Sequence, residues 1–349
     1  MPKINVGLVG ITGYAGLELA RLVASHPEMQ LTMASSRAEA GQNLSAYYPF
    51  LQGLPGADLN ITEFSPEEAA ECCDLVFLAV PAGTAMRLAP ELLERNIKVI
   101  DFSADFRLKD QSVYEEWYGL PHIAPDLIME AVYGLPELYA EQIKKAHLIA
   151  NPGCYPTSII LGLKAAFEHD LISTTDIIID SKSGATGAGR KPNVPTLFSE
   201  VTDNFRAYGL PRHRHTPEIE QEIGVLAQTK VTLQFTPHLL PTNRGILSTI
   251  YTKLKQNLDL ETIHEMFVKT WANSPWVRVL PIGQLPETRF VRGTMFCDIG
   301  LVIDSRTKRL IIISVIDNLC RGAAGQALAN ANLQMGLDVT TGLMQVPLL

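Results

Sequence analysis

The chain has 349 residues, of which 46 % are hydrophobic and 19 % are charged, and its formal net charge is −8 at pH 7. This length predicts about two domains of roughly 150 residues each, and the composition is typical of a globular protein. The acidic balance argues against nucleic acid or an anionic membrane as a partner, so we expect any basic cluster to hold a small anion.

The five cysteines, at positions 72, 73, 154, 297 and 320, show no regular spacing. This arrangement predicts neither a disulfide framework nor a metal site of C-x-x-C type, so we expect a reducing, cytoplasmic compartment and no metal. The N-terminus lacks the apolar core of a secretory signal, and no run of about 18 apolar residues occurs. We therefore expect no membrane span.

The first half of the chain alternates short apolar runs with helical segments, the pattern of a parallel sheet covered by crossover helices. This pattern predicts a doubly wound, Rossmann-type domain of the α/β class. The candidate strands are 4–9, 31–35, 75–80 and 99–102, and a crossover helix is predicted over 85–95 in spite of Pro90.

A glycine-rich turn with the spacing G-x-x-G-x-x-G comes directly after the first predicted strand and before a helical segment over 17–23. In this order of strand, turn and helix, backbone amides can approach a pyrophosphate at the helix N-terminus. We therefore predict a dinucleotide site, with a purely structural turn as the alternative. The residues of this turn are Gly10, Thr12, Gly13, Tyr14, Ala15 and Gly16.

The end of the second predicted strand indicates which dinucleotide is used. An NAD site normally carries an acidic residue here for the ribose 2′-hydroxyl, but this chain has Ser35, Ser36 and Arg37. Two hydroxyls and a guanidinium can hold a 2′-phosphate, whereas a carboxylate would repel it. We therefore predict NADP(H); an exposed Arg37 without a ligand is the alternative.

One cysteine is placed as a nucleophile would be. Cys154 follows Gly153 and precedes a run of helical composition over 158–167. The amide donors of a first helical turn would lie near its sulfur and favour thiolate over thiol. We predict that Cys154 is a catalytic nucleophile; an inert buried cysteine is the alternative.

After this cysteine the β-rich runs become longer and follow one another, at 175–181, 231–237, 245–254 and 309–316. Strands that arrive consecutively predict a second domain built on a mostly antiparallel sheet. A final helix rich in small residues is predicted over 322–333.

Two histidines alternate with two arginines just before a predicted helix that Thr216 caps and Pro217 opens. A histidine in such a place can exchange a proton at neutral pH. We predict that His213 or His215 is the general acid and base, and we prefer His215 because it lies next to the cap. A solvated basic loop is the alternative.

Three further polar segments, at 101–107, 181–191 and 241–245, each contain an arginine. The first follows a predicted strand, and strand ends are where α/β sheets build their sites. The second is rich in glycine, which suits an anion loop or a simple linker. These arginines could bind phosphate or carboxylate, and we select Arg107 for phosphate.

A nicotinamide cofactor, a thiolate, a general acid and an anion site together indicate one chemistry. Hydride does not readily reduce a free carboxylate, but it reduces a thioester made when a thiolate displaces phosphate from an acyl phosphate. The product of that reaction is an aldehyde.

Five segments, at 9–16, 101–107, 151–157, 213–219 and 318–327, together resemble the N-acetyl-γ-glutamyl-phosphate reductase family of arginine biosynthesis. The resemblance implies an NADPH-binding Rossmann-type domain over 1–150, completed by 318–349. It also implies a catalytic and oligomerisation domain over 151–317, of the α+β kind found in glyceraldehyde-3-phosphate dehydrogenase. A homo-oligomer, tetramer or dimer, is expected.

The resemblance also implies roles for residues outside the motifs argued above. Ser183, Gly184 and Asn318 are expected to contact the cofactor, with Asn318 near the nicotinamide, while Ser103, Arg107 and Glu218 are expected to contact the substrate. An N-acetyl-aminoadipyl-phosphate reductase and an aspartate-semialdehyde dehydrogenase share this chemistry and are the nearest alternatives. A non-catalytic NADP-binding regulator is the alternative from another class, and it would need neither the cysteine nor the histidines.

Overall fold

The computed structural model describes residues 2–348, which form two compact units. The first unit comprises the described residues up to Pro152 together with Ala323–Met344. The second comprises Gly153–Gly322 together with the described residues from Gln345 onward. The first unit thus ends two residues later than the predicted domain, and its returning segment is shorter than the predicted 318–349.

Contacts within the second unit explain why the returning segment is shorter. The Oδ1 atom of Asn318 accepts a hydrogen bond from the amide of Gly245 at 2.8 Å, and its Nδ2 donates to Thr186 at 3.0 Å. At the far end of the chain, the amide of Leu348 donates to the carbonyl of Arg292. These bonds attach 318–322 and the last described residues to the second unit. The sequence prediction had assigned both segments to the first unit.

The first unit is built on a seven-stranded sheet whose neighbouring strands all run parallel, in the order β3-β2-β1-β4-β5-β7-β6. The middle strand β4 is buried at every position, as a strand covered on both faces must be. The strands are β1 (Ile4–Val9), β2 (Met29–Ser35), β3 (Ile61–Thr62), β4 (Leu75–Leu78), β5 (Lys98–Asp101), β6 (Val132–Tyr133) and β7 (Leu148–Ala150).

The helices of this unit cover the sheet and include one from the end of the chain. Pro90 lies inside the fourth helix, so the predicted helix over 85–95 is confirmed to within one residue. The helices are α1 (Tyr14–Ala24), α2 (Leu44–Tyr47), α3 (Pro66–Cys72), α4 (Ala85–Glu94), α5 (Gln111–Tyr118), α6 (Pro125–Glu130), α7 (Pro136–Ile143) and the returning α12 (Gly325–Gln334).

Every residue of α12 is buried, and this burial explains its unusual sequence. Its small residues allow close packing, and its amide side chains meet backbone groups that would otherwise be buried without a partner. Gln326 and Asn330 both donate to the carbonyl of Gly134 at 2.8 Å, and Asn330 also donates to Asn151 at 3.0 Å. The predicted helix over 322–333 is therefore confirmed over most of its length.

The second unit has a mixed, mostly antiparallel sheet of seven strands in the order β12-β13-β14-β11-β8-β10-β9. Parallel pairs occur only at β12/β13 and β8/β10 among its described strands. The strands are β8 (Ile178–Gly184), β9 (Arg206–Ala207), β10 (Gln234–Leu240), β11 (Ile246–Lys253), β12 (Val277–Val279), β13 (Cys297–Asp304) and β14 (Arg309–Ile316).

Four helices complete this unit: α8 (Cys154–Glu168), α9 (Phe198–Val201), α10 (Thr216–Ala227) and α11 (Leu260–Trp271). The two sheets confirm the predicted combination of a Rossmann-type domain and an α+β domain. The predicted strands at 175–181 and 231–237 each lie three residues further along the chain than expected. Across residues 2–348, no helix has both the length and the apolar character needed to cross a membrane.

Candidate active site

The glycine turn of the first unit has the geometry that its spacing predicts. Gly10 has φ +88°, and a Cβ there would lie 2.2 Å from the carbonyl oxygen of Ala79, so only glycine fits. A Cβ on Gly16 would lie 2.3 Å from the carbonyl oxygen of Gly10. These two glycines bring the turn, the end of β4 and the start of α1 into close contact.

The middle glycine of this turn, Gly13, leaves space next to the start of α1. Gly13 is the N-cap of α1, and it has no side chain that could cap the first-turn amides. A Cβ built on Gly13 would meet only the carbonyl oxygen of Gly10, at an ordinary 3.5 Å. The backbone here is therefore open to an incoming anion, and the first turn from Tyr14 to Gly16 supplies amide donors.

The end of β2 lies beside this turn, as predicted. The carbonyl of Ser35 accepts the amides of Gly10 and Ile11 at 2.8 and 3.2 Å, and the hydroxyls of Ser36 and Thr12 are 3.1 Å apart. Arg37 is exposed. These contacts bring the predicted glycine turn and the predicted 2′-phosphate residues together.

A carboxylate also lies at this strand end, which the sequence prediction did not include. The hydroxyl of Ser36 donates to Glu39, which lies three residues later and is half-buried. No acidic residue occupies positions 35–37, but the loop folds back and brings Glu39 to the end of the strand.

The polar segment after β5 forms a buried network within the first unit. The amide and hydroxyl of Ser103 both donate to the carboxylate of Asp101, at 2.7 and 2.8 Å. The carboxylate of Asp105 accepts the amides of Gly83 and Met86 at 2.8 and 3.0 Å, at the start of α4. Burial, followed by the nearby charge of Asp105, raises the pKa of Asp101 to about 7.

Arg107 belongs to the same network, and its contacts bear on the phosphate role selected for it. The side chain is only 7 % exposed. Its Nε donates to the carbonyl of Asn151 at 2.8 Å and its Nη2 donates to the carbonyl of Phe102 at 2.6 Å. These bonds favour a role in holding the backbone, and the preference for Arg107 as the phosphate ligand is not supported by this geometry.

In the second unit, Cys154 is the first residue of α8 and is partly exposed. Gly153 is the N-cap, with extended backbone angles, and its amide donates to the carboxylate of Glu218 at 2.8 Å. Glu218 is 1 % exposed. This carboxylate therefore fixes the turn that presents the cysteine, whereas the sequence had assigned Glu218 to the substrate.

A second backbone segment supports the cysteine from another side. Gly322 lies so close that a Cβ on it would be 2.7 Å from the Cβ of Cys154. The carbonyl of Asp317 accepts the amide of Gly322, and its buried carboxylate accepts the amides of Leu319 and Cys320 at 2.8 and 2.9 Å. The turn from 317 to 322 thus packs tightly behind Cys154.

Both predicted histidines lie beside Tyr155, the residue that follows the predicted nucleophile. The ring centroid of Tyr155 is 5.6 Å from that of His213 and 5.9 Å from that of His215. The two imidazoles are 5.0 Å apart, and Tyr208 donates a hydrogen bond to the hydroxyl of Tyr155 at 3.0 Å. The structure therefore brings the cysteine motif and the histidine motif together, with two tyrosines that the sequence analysis did not select.

The two histidines have different environments. Burial, with a smaller contribution from Arg214, lowers the pKa of His213 to about 4. Its Nδ1 accepts the amide of His215 at 3.1 Å, so the neutral ring carries its proton on Nε2. His213 is therefore a fixed, neutral donor near neutral pH.

His215 occupies the N-cap position of α10, which begins at Thr216. We expected Thr216 to be the cap, but it is the first helical residue, with Pro217 after it. The cap side chain makes no bond to the helix amides, because the backbone of His215 has helical angles. Its imidazole is partly exposed and points toward the ring of Tyr155.

The remaining predicted cofactor residues lie in the second unit. Asn318 links the amide of Gly245 to the hydroxyl of Thr186. The predicted anion loop over 181–191 begins with strand β8, which runs through Ser183 to Gly184. A Cβ on Gly184 would lie 2.7 Å from the backbone amide nitrogen of Arg244, so this loop packs tightly and is not a simple linker.

Arg244 is thus held beside Gly184, and its Nη1 lies 3.4 Å from the carboxylate of Asp317. Its side chain is 24 % exposed. It is the arginine of the third polar segment, at 241–245, which was not among the predicted site residues.

Comparisons with known proteins agree with this geometry. A family model described as "Semialdehyde dehydrogenase, NAD binding domain" matches residues 5–146, and one described as "Semialdehyde dehydrogenase, dimerisation domain" matches residues 154–318. An N-acetyl-γ-glutamyl-phosphate reductase of Desulfotalea psychrophila is 50 % identical over 346 residues, which cover 99 % of each chain. One from Symbiobacterium thermophilum is 50 % identical over 342 residues, covering 98 % of this chain and 97 % of that one.

Solved structures resemble the chain at the level of the fold. Aspartate semialdehyde dehydrogenase II of Vibrio cholerae superposes with a TM-score of 0.73 over 96 % of this chain and 99 % of that one, at 16 % sequence identity. Aspartate semialdehyde dehydrogenase of Candida albicans, solved with NADP, superposes with a TM-score of 0.70 over 95 % of this chain and 98 % of that one, also at 16 % identity.

Proposed function

Because the chain belongs to the semialdehyde dehydrogenase family, and within it to the N-acetyl-γ-glutamyl-phosphate reductases, we propose that it reduces N-acetyl-γ-glutamyl phosphate to N-acetylglutamate 5-semialdehyde and phosphate in arginine biosynthesis. The observation that carries the proposal is a partly exposed Cys154 at the start of α8, with Gly153 anchored by Glu218.

As a member of this family, the chain is an oxidoreductase with a nicotinamide cofactor. NADPH is our finer proposal, and Ser36 and Arg37 at the end of β2 support it. The glycine turn and the first turn of α1 would hold the pyrophosphate, and Ser183, Gly184 and Asn318 are proposed to contact the rest of the cofactor. When bound, NADPH supplies the hydride that reduces the acyl group.

In the first step, the thiolate of Cys154 attacks the acyl carbon and a thioester forms. The bond between that carbon and the phosphate oxygen breaks, and the phosphate leaves with its electron pair. The amides of the first turn of α8 would stabilise the oxyanion of the tetrahedral intermediate. The buried Glu218 serves this step by fixing the amide of Gly153, so we now propose a positioning role for it.

A cation near the cysteine would stabilise the departing phosphate. Arg244 is more exposed than Arg107, and it lies in the same unit as Cys154. Arg107 is buried and donates to two carbonyls. Ser103 is also buried and donates to the carboxylate of Asp101. We therefore propose Arg244 for the phosphate, with Ser103 and Arg107 shaping the strand end.

In the second step, addition of hydride to the thioester carbon gives an oxyanion, which takes a proton from a histidine to become a thiohemiacetal. Its hydroxyl loses a proton, the carbonyl re-forms, and the carbon–sulfur bond breaks to release the aldehyde and the thiolate. We propose that His215 accepts and returns this proton. The pKa of His213, about 4, supports the choice of His215 over His213. A ring that stays neutral can donate a hydrogen bond but does not exchange its proton near neutral pH.

We further propose a homo-oligomer, a dimer or tetramer, for which the family description of residues 154–318 is the support. We also propose a cytoplasmic location, because the proposed thiol chemistry of Cys154 needs a reducing compartment.

The test is an NADPH-oxidation assay with three acyl phosphates: N-acetyl-γ-glutamyl, N-acetyl-aminoadipyl and aspartyl phosphate. We expect the first to give a kcat/KM at least about tenfold above the other two, because a single methylene changes binding by about 1–3 kcal/mol. A preference for either of the others would assign that reaction instead. Absence of turnover with all three would favour a non-catalytic NADP-binding protein.

A further inference from the structure

Asp317 is a fully buried aspartate just after β14, and its carboxylate joins its own turn to two other segments of the second unit. One oxygen accepts the amides of Leu319 and Cys320 at 2.8 and 2.9 Å. The other accepts the amide of Gly293 at 2.7 Å and lies 3.4 Å from Nη1 of Arg244. Because a buried carboxylate without partners is costly, these donors and the carboxylate stabilise one another's positions.

The arginine of this group is the one proposed for the departing phosphate, and its backbone is held as well as its side chain. A Cβ on Gly184 would lie 2.7 Å from the amide nitrogen of Arg244. The amide of the next residue, Gly245, donates to Asn318 at 2.8 Å. The side chain of Arg244 is partly exposed, so a small anion can reach part of it. Arg244 is therefore an accessible cation that contacts a buried carboxylate.

The same aspartate is also connected to the predicted nucleophile. The carbonyl of Asp317 accepts the amide of Gly322 at 2.9 Å, and Gly322 packs against Cys154. Arg244 and Cys154 are thus linked through two intervening residues, all within the second unit. A displacement is fast only when the attacking group and the groups that bind the substrate are held in the right geometry.

We propose that Asp317 is a positioning residue for the reaction: it holds Arg244 where the phosphate of the acyl phosphate is bound and released. The inference rests on the proposed function, in which Arg244 meets that phosphate. A carboxylate that only neutralised the guanidinium would have the opposite effect, because a nearby negative charge weakens the attraction of a cation for an anion. Removal of the charge would then tighten phosphate binding, whereas loss of a positioning contact weakens it.

The experiment follows the reaction in reverse, in which phosphate is a separate substrate. Initial rates of NADP+-dependent oxidation of N-acetylglutamate 5-semialdehyde are measured at varied inorganic phosphate for the wild-type protein and for Asp317→Asn. The asparagine oxygen can still accept the amides of Leu319 and Cys320, whereas its NH2 group turns a donor toward Arg244 and Gly293. We expect the KM for phosphate to rise on the order of tenfold and the KM for the semialdehyde to stay within about threefold.

Two further variants make the result specific. Asp298→Asn is the matched control, because Asp298 is also buried in the second unit and accepts two hydrogen bonds from Arg278. It should leave the KM for phosphate within about twofold of wild type, since it breaks a comparable pair elsewhere. Arg244→Gln should raise this KM at least as much as Asp317→Asn, and the double variant should add little, because both changes act on one contact.

A lower or unchanged KM for phosphate in Asp317→Asn would overturn the inference and leave the proposed reduction intact. Equal rises in the KM values for phosphate and semialdehyde would overturn it as well, since they indicate a general disturbance of the site. Circular dichroism shows whether the variant folds. If it does not fold, Arg244→Gln decides: a raised KM for phosphate supports the inference, and an unchanged one overturns it. Absence of phosphate-dependent oxidation by the wild-type protein would overturn the proposed function and this inference with it.

Discussion

Gly322 packs directly against Cys154, so closely that a Cβ at position 322 would lie 2.7 Å from the Cβ of the cysteine and 3.2 Å from its Cα. The atoms that would have to move are therefore the Cβ and Cα of Cys154, which are fixed to the backbone, and not the end of a flexible side chain. We predict that Gly322→Ala lowers kcat at least about tenfold, because small displacements of a reacting group are costly. Turnover at saturating substrate and the rate of alkylation of Cys154 test this.

A suitable control is Gly224→Ala, inside α10, where the added Cβ would lie 3.2 Å from the carbonyl oxygen of Thr229. This variant should keep kcat within about twofold, since it adds the same methyl group away from the cysteine. Equal activity of Gly322→Ala and wild type would show that the support behind Cys154 is not needed.

Replacement of Cys154 should abolish the reaction and leave cofactor binding nearly unchanged. We expect Cys154→Ser to retain less than about a hundredth of wild-type activity and to bind NADPH within a few-fold of wild type, because the thiolate acts only in the covalent step. Steady-state rates and NADPH titration measure the two effects. Activity above that level would exclude Cys154 as the nucleophile.

Reversal of the charge at Arg37 should change the binding of NADPH and NADH by different amounts. We predict that Arg37→Glu weakens NADPH binding much more than NADH binding, because it removes a cation and adds repulsion only where a 2′-phosphate lies. Titration of both nucleotides at fixed ionic strength is the measurement. Equal losses for the two cofactors would mean that Arg37 does not contact the phosphate.

The two histidines should respond differently to pH. Because the pKa of His213 is near 4, its ring stays neutral from pH 6 to 9 and cannot produce a pH-dependent limb in that range. We predict that His215→Asn slows turnover more than His213→Asn and removes the limb, whereas His213→Asn keeps it. Rates across that pH range at saturating NADPH test this. Loss of the limb in the His213 variant would exchange the two roles.

Asp101 should make stability depend on pH. Its folded pKa is raised from 3.8 to about 7, so between these values the folded protein binds a proton that the unfolded chain does not. Its contribution to stability is therefore favourable at low pH and is lost as pH rises through that window. We expect Asp101→Asn to gain stability relative to wild type as pH increases from about 5 to 8.

Denaturant unfolding of both proteins at several pH values gives this difference. The asparagine keeps an oxygen acceptor for Ser103, so the network need not be lost. A difference between the two proteins that does not change with pH would contradict the raised pKa of Asp101.

The sequence of residues within short segments was enough to predict several structural elements of this protein. Strand, glycine turn and helix succeed one another between Ile4 and Ala24, and each depends on nearby residues only. The same is true of Gly153 followed by Cys154 at the start of α8. Glycine conformation, helix starts and buried apolar runs are short-range effects, so the sequence alone predicted the Rossmann-type sheet and the position of Cys154 at a helix start.

Only the tertiary structure decided which distant residues come into contact within each unit. The contact of Gly322 with Cys154 and the return of Glu39 to Ser36 depend on chain segments that fold onto each other. The low pKa of His213 likewise depends on burial, which no short motif specifies. Arg107 looked like an anion ligand because its charge is visible in the sequence, whereas the carbonyls that its guanidinium contacts are set by the fold. Hydrogen-bond partners and desolvation are properties of the packed chain, and they determine which of the predicted residues can meet substrate or cofactor.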